Sequence, residues 1–333
     1  MNGSSRQNNF IRIAIEVLVI LVAIFILIYV YAVSRSSRYY TFDEGWTVLQ
    51  DGVTYNDVVL SEYEFPHILN KGDSILLRNT IPRDIGDRSS VSLLVYLSTV
   101  DVYVSGKNIY SYGHDIEASK KMVGSGYHFI HLPEHCKGQD ITIVISSCED
   151  AAFSSIPAIQ ILDTQYMLSG FARQHALALF ISVFLSFLGL CLLCVTAVGV
   201  LMQNRYRRLI WVGSFSILMG CWSLCNTKTM QIFSMNLSVN TEMEYLTLFL
   251  AAIPLILQIY YMRQDSPRWK RVLLAACVAL SILYTGVALG LHVANVAHFC
   301  KTLPYFHMIL VFDLIAVIVA AWKPTKDMSA SDK

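Results

Sequence analysis

Aromatic side chains crowd one stretch of the sequence: Trp46, Tyr63, Phe65, Tyr110, Tyr112 and Tyr127, with His114 and Asp115 close by. Flat rings of this kind cover the apolar C–H face of a sugar while neighbouring carboxylates and amides take its hydroxyls. Tyr110, Tyr112, His114, Asp115 and Tyr127 are therefore the candidate binding residues for a small sugar-like or peptide ligand, with residues 113–125 as the rim. Core packing is the competing and commoner role for aromatics at strand positions. A second kind of chemistry centres on Asp313, which stands in the middle of an apolar run with His307 nearly two turns earlier. An ionised carboxylate there costs roughly 2.5 to 3.5 kcal/mol, so it needs compensation. The choices are an ion or proton site, a polar latch between helices, or a protonated carboxyl bonded to a Ser, Thr or Asn on another helix.

The cysteines divide the same way. Cys136 and Cys148 are the two in the polar stretch, and they form either a disulfide or two buried free thiols. Cys191 with Cys194, and Cys221 with Cys225, share helix faces at spacings that superficially suit a metal. They lie in apolar runs with no His or carboxylate at short range, so interface packing is expected and no metal is. The sequence has no Walker A motif, no HExxH and no nucleophile elbow. No catalytic residue, no cofactor and no enzyme activity are expected.

These residues sit on two kinds of element. Of 333 residues, 55% are hydrophobic and only 15% charged, which points to a membrane protein. Apolar runs at residues 13–33, 177–202, 209–225, 245–262, 272–291 and 304–322 are each near the length that crosses a hydrocarbon core of about 30 Å. The first, broken only by Glu16, reads as an uncleaved signal anchor. Arg205, Arg207 and Arg208 fall in one short connector, Arg263, Arg268, Lys270 and Arg271 in another, and Lys323 and Lys326 after the last run. The positive-inside bias then puts both termini in the cytoplasm and residues 38–170 outside, in a bacterial inner membrane. Residues 38–170 carry nine Lys/Arg against seventeen Asp/Glu, a net of −8, while the rest of the chain is +9. That division makes nucleic acid an unneeded partner, and membrane lipids the expected one.

Between residues 38 and 170 the pattern changes to short Val, Ile, Tyr and Thr segments separated by Gly, Pro, Asn and Asp. Eight strands are expected, at 46–50, 74–80, 91–97, 100–105, 107–112, 127–132, 140–147 and 158–162, which suits a sandwich. Val100, Val102 and Val104 alternate with Asp101 and Tyr103, and Ile141, Ile143 and Ile145 with Thr142 and Ser146, so one face is core and one wet. Ser105-Gly106 predicts a two-residue hairpin.

The segments Gly72-Asp73-Ser74-Ile75-Leu76-Leu77-Arg78-Asn79, 91–97 and Val102-Tyr103-Val104-Ser105-Gly106-Lys107 resemble the galactose-binding-like jelly roll. With Tyr110-Ser111-Tyr112-Gly113 and residues 126–133, the order resembles the bacterial seven-transmembrane receptors with diverse intracellular signalling modules. The resemblance spans about residues 40–325. It implies an all-β jelly-roll sandwich, exported and inserted between an N-terminal membrane helix and an all-α membrane bundle. Many of those receptors end in a GGDEF diguanylate cyclase. This sequence differs in having five spans after the sandwich rather than seven, and no output module after Trp322.

The expected organisation is a cytoplasmic tip and anchor helix at 1–37, a sensor sandwich at 38–170, a five-helix bundle at 171–323 and a polar tail at 324–333. The expected function is a receptor-like sensor that passes a signal to a cytoplasmic module, either in trans or on a segment lost by truncation, with a homodimer as a further expected assembly. Alternatives are a transporter or envelope-biosynthesis subunit using Asp313, and a carbohydrate-binding surface protein that does not signal. The transporter reading lacks an inverted hydropathy repeat.

Overall fold

A computed structural model describes residues 24, 26, 39–203, 209–263 and 266–322. The anchor expected at 13–33 lies outside the described residues apart from Ile24 and Ile26, as do Arg205, Arg207, Arg208, Lys323, Lys326 and the tail. The chain divides into two compact units, Met1–Phe184 with Ser223–Met243, and Leu185–Trp222 with Glu244–Lys333.

The first unit is built on ten strands: β1 Tyr39–Phe42, β2 Trp46–Gln50, β3 Val53–Val58, β4 Ser74–Thr80, β5 Ser89–Val95, β6 Ser98–Val104, β7 Lys107–Tyr112, β8 Gly126–His131, β9 Asp140–Ser147 and β10 Ile159–Asp163. They form two antiparallel sheets, ordered β1-β10-β5-β8 and β3-β2-β4-β9-β6-β7. β1 and β3 are additional to the strands expected from sequence. β1 is recruited by β10, 120 residues away in its register (Tyr40 opposite Ile161, Phe42 opposite Ile159), a non-local pairing that local pattern does not carry. β3 is a polar edge strand that follows the turn Asp51-Gly52, where both residues adopt positive φ (54° and 76°). Ser105-Gly106 makes the expected hairpin in the same way, with φ of 47° and 77°.

Register turns the alternation into rows. On the inward face of the larger sheet, Val53, Gln50, Ile75, Ile145, Val100 and Tyr112 lie side by side across six strands. The next inward row is Tyr55, Val48, Leu77, Ile143, Val102 and Tyr110. The aliphatic centres of both rows are fully buried against Val91, Leu93, Val95, Ile130, Ile159 and Ile161 of the smaller sheet. Trp46 is fully buried in the same core, donating its ring N–H to Phe42 O at 3.1 Å. A short helix, α1 His114–Ala118, occupies the expected 113–125 rim.

Helices follow: α2 Met167–Gln174, α3 Ala176–Gln203, α4 Leu209–Asn226, α5 Leu237–Met262, α6 Arg268–Val293 and α7 Phe299–Ala321. The last five are long and apolar enough to cross a membrane, which supports a multi-pass membrane protein. In the second unit, α6 turns Leu274, Cys277, Ser281, Thr285 and Ala288 inward, and α7 turns Thr302, Phe306, Asp313, Ala316 and Ala320 inward. Small residues at these spacings let two helices approach closely without a hydrophobic driving force. Gly189 of α3 and Gly213 of α4 do the same; a Cβ on Gly189 would lie 2.6 Å from the Gly213 carbonyl oxygen.

Candidate functional site

The sandwich is fastened to the helix ends along one edge, and both sides of this seam belong to the first compact unit. An outer strand of an antiparallel sheet has backbone groups that nothing in the sheet satisfies, and these need partners when covered. At β8 the partners are side chains of the α4–α5 connector and of α5. Gln231 accepts from Tyr127 N at 2.8 Å and donates to Tyr127 O at 2.8 Å, so one amide stands in for an added strand. Two residues earlier, Ser125 N donates to Thr241 Oγ1 at 2.8 Å, while the Thr241 hydroxyl donates to Leu237 O at 2.8 Å. Ser125 Oγ in turn accepts from Leu97 N at 3.2 Å. Lys228, buried and in a left-handed conformation, places its ammonium 5.6 Å from the Tyr96 ring centre.

Close approach is what the sequence Gly124-Ser125-Gly126 makes available. A Cβ on Gly124 would meet the Leu237 carbonyl carbon at 2.2 Å and Ser238 N at 2.3 Å, and one on Gly126 would meet Gln231 Oε1 at 2.8 Å. Both glycines are dictated by a neighbouring segment.

On the outward face of β8, Tyr127 and Phe129 receive Phe171 of α2 edge-on, with ring centres 5.0 and 5.5 Å away. His175, between α2 and α3, contacts Phe171 O through Nδ1 at 3.1 Å and the Tyr127 hydroxyl through Nε2 at 3.3 Å. A carbonyl only accepts, so Nδ1 carries the proton and the neutral ring takes the Tyr127 proton at Nε2. Burial pushes the His175 pKa down, with the Phe171 carbonyl pulling the other way.

On the inward face lies His128, 2% exposed, with its Nδ1 2.9 Å from the Tyr110 hydroxyl and its ring 4.8 Å from that of Tyr112. Burial pushes the His128 pKa down to about 3 and that of Tyr110 up to about 12, so both are neutral. Tyr112 is also raised, chiefly by burial. Its hydroxyl lies beside Ser238 and the Gly124 backbone, which pull the other way, while His128 Nε2 has no hydrogen-bond partner among the described residues.

The five residues proposed from sequence as a ligand site are thus divided by the structure. Tyr110 and Tyr112 point inward around His128, and Tyr127 points outward to α2 and His175. His114 is on the surface, its Nε2 2.9 Å from Asp101 Oδ2. Ser111 donates to the other oxygen of Asp101 at 2.7 Å. Serine and histidine therefore hold opposite oxygens of one carboxylate, an arrangement that leaves the hydroxyl unactivated by the imidazole. Asp115 is exposed in the first turn of α1. His128, Gln231 and Thr241 were not singled out from sequence. The Gly124-Ser125-Gly126 run was the legible signal of a close backbone approach, but its partner, a polar connector a hundred residues on, was not.

Elsewhere, Cys136 and Cys148 are separate free thiols, both buried, and burial pushes Cys148 up to about 11. In the second unit, Asp313 is 3% exposed and accepts from Ser281 Oγ at 2.9 Å. His307 is on the exposed side of α7 and does not join it. Among the described residues no group of three or more His, Cys, Asp or Glu could hold a metal.

No family model matches the chain, and no curated protein does. Among solved structures it is similar to an FMN-binding beta-glucuronidase from Facaelibacterium prausnitzii L2-6, at 14% identity and a TM-score of 0.26. The likeness takes in 38% of this chain and spans 22% of that enzyme's length.

Proposed function

We propose that the chain is a receptor-like sensory membrane protein. Its sandwich, a jelly roll on the outer side of a bacterial inner membrane, senses a ligand or partner, and the helices carry the change to a cytoplasmic output module. The observation that carries this reading is the seam. Gln231 and Thr241 grip the backbone of residues 125–127, so the segment joining two membrane helices is held by main-chain geometry of the sandwich. A change in β8 therefore has a directional path to α5, and through Phe171 and His175 to the start of α3. Sidedness is supported by the same contact. The sandwich and the 227–236 connector share one side of the membrane, while the arginine-rich connectors at 204–208 and 263–271 fit the opposite side. The order of strands and spans is similar to that of the seven-transmembrane receptors named above, and the exposed Asp101–Ser111–His114 arrangement offers binding rather than catalysis.

The test uses the full chain in lipid nanodiscs and amide hydrogen exchange. In the double variant Gln231→Leu, Thr241→Val, exchange should rise at Ser125 and Tyr127 and the rise should extend into α5 and the first turns of α3. A change confined to residues 124–127 would remove the transmission reading. Protease added to spheroplasts should cut within 113–125 and spare 204–208; the reverse pattern would invert the proposed topology.

A further inference from the structure

The buried end of β2 holds a polar group that the seam does not use. Gln50 lies on the inward row between Val53 and Ile75 and is 1% exposed. Neither its amide oxygen nor its amide nitrogen has a hydrogen-bond partner among the described residues. Tyr55, one register step away on the same face of β3, packs on Tyr63 with ring centres 5.5 Å apart. The Tyr63 hydroxyl is likewise buried without a partner. From Tyr63 the aromatic wall continues to Phe65 at 5.7 Å and from there to Phe153 at 5.7 Å.

Buried amides and hydroxyls are almost always paired, because each unpaired atom has given up its hydrogen bond to water and received nothing. Three such atoms stand at one end of the core, where the next positions along the row, Ile75 and Ile145, are aliphatic, and they mark a place fitted to something else. Val53, beside Gln50 on the same row but on the edge strand, is 50% exposed, while the Gln50 amide atoms themselves are covered. Over this end of the core, the segment that carries Tyr63 and Phe65 is pinned by Phe65 N to Ser154 O at 2.9 Å and Leu69 N to Phe153 O at 3.0 Å. On the same segment His67 stands between Asp51 at 3.6 Å and Asp73 at 3.5 Å.

We propose that Gln50 and Tyr63 form a binding site for a small uncharged molecule that presents a donor and an acceptor side by side and has an apolar face, the chemistry of a polyol or a carboxamide. The Gln50 nitrogen donates to the acceptor, its oxygen takes the donor, the Tyr63 hydroxyl makes a third contact, and the Tyr55, Tyr63 and Phe65 rings meet the apolar face. Gln50 and Tyr63 are themselves uncharged, and the Asp51 carboxylate that acts on the Tyr63 hydroxyl would repel an anion, so the ligand is neutral. This gives the sensory reading its ligand class and for its purpose rests on that reading, although binding is measured without reference to signalling.

The experiment is thermal unfolding of the full chain in nanodiscs with D-galactose, N-acetyl-D-glucosamine and N-acetylglycinamide as separate probes, for the wild type, Gln50→Leu and Tyr63→Phe. The sugars and the amide separate the two sources of the shared chemistry. At saturating concentration at least one probe should raise the wild-type melting temperature by about 4 °C or more. The shift should vanish in Gln50→Leu, which keeps the side-chain volume, and shrink in Tyr63→Phe. Equal shifts in all three proteins place binding elsewhere and overturn the site, as does the absence of a shift in the wild type with every probe; if Gln50→Leu fails to fold, an undiminished shift in Tyr63→Phe does so. A site lost here with seam exchange unchanged fails alone, and a seam that transmits nothing while the probes still bind fails the sensory reading alone.

Discussion

The seam at β8 and the α6–α7 pair are both places where separate segments are held together, and they are held by different means. At the seam, side chains grip backbone: an amide and a hydroxyl replace the missing neighbour of an edge strand, and glycines remove every Cβ in the way. Between α6 and α7, small side chains meet small side chains, with Ser281 to Asp313 and the Tyr284 hydroxyl to Thr302 O, at 2.7 Å, as the polar contacts in a mainly apolar interface. The contrast follows from the surroundings. Covered by the helix ends, with Gln231 and Thr241 both 2% exposed, a polar side chain gains most by pairing with backbone groups that would otherwise be unsatisfied. In an apolar interior close packing supplies the contact and isolated hydrogen bonds fix rotation. A backbone grip reports strand geometry; a small-residue interface tolerates rotation and sliding.

The comparison breaks most completely if the sandwich is lost. Trp46→Ala should cost about 3–5 kcal/mol, read as a lower sandwich melting transition, since the residue is fully buried and donates to Phe42 O. Gly124→Ala comes next, at about 3 kcal/mol, because the obstruction is the Leu237 backbone and cannot swing aside. Its signature is faster exchange on both sides of the seam with the α6–α7 pair unaffected.

Acid sharpens the contrast further. His128 has its pKa pushed down to about 3 by burial, below its unfolded value near 6.5, so the unfolded chain takes the proton first. Stability present above pH 6.5 is lost as pH falls toward 3, by about 2 kcal/mol between pH 7 and 5. Denaturant titrations of His128→Phe should lack that slope. Gln231→Leu removes two hydrogen bonds and should cost about 1–2 kcal/mol, again confined to the seam in hydrogen exchange. Asp313→Asn keeps an oxygen for Ser281 and should cost less than about 1 kcal/mol; a larger loss in melting experiments would make the carboxyl more than a rotation lock.

Much of the architecture was written locally. Alternation at 100–104 and 141–145 set two strands and their buried faces, Ser105-Gly106 set a hairpin, and long apolar runs set the five helices. β3 could have been read from Asp51-Gly52, whose primed turn it follows. β1 could not, since its reason for being a strand is β10. The candidate site was legible only in its parts. Tyr110, Tyr112 and Tyr127 were identified by type, yet a period of two sends Tyr127 outward while His128 beside it turns in to meet the other two. Gln231 had no signal at all, because a glutamine in a polar connector looks like solvent-exposed sequence until a strand edge arrives beside it.

Gln50 and Tyr112 stand on one inward row with Ile75, Ile145 and Val100 between them. Four inter-strand spacings separate the two, about 19 Å. Protein interiors are packed as densely as organic crystals, so such a file of aliphatic groups behaves like a push-rod with little play. Whatever displaces the glutamine end nudges the tyrosine at the other, whose hydroxyl lies against the first turn of α5.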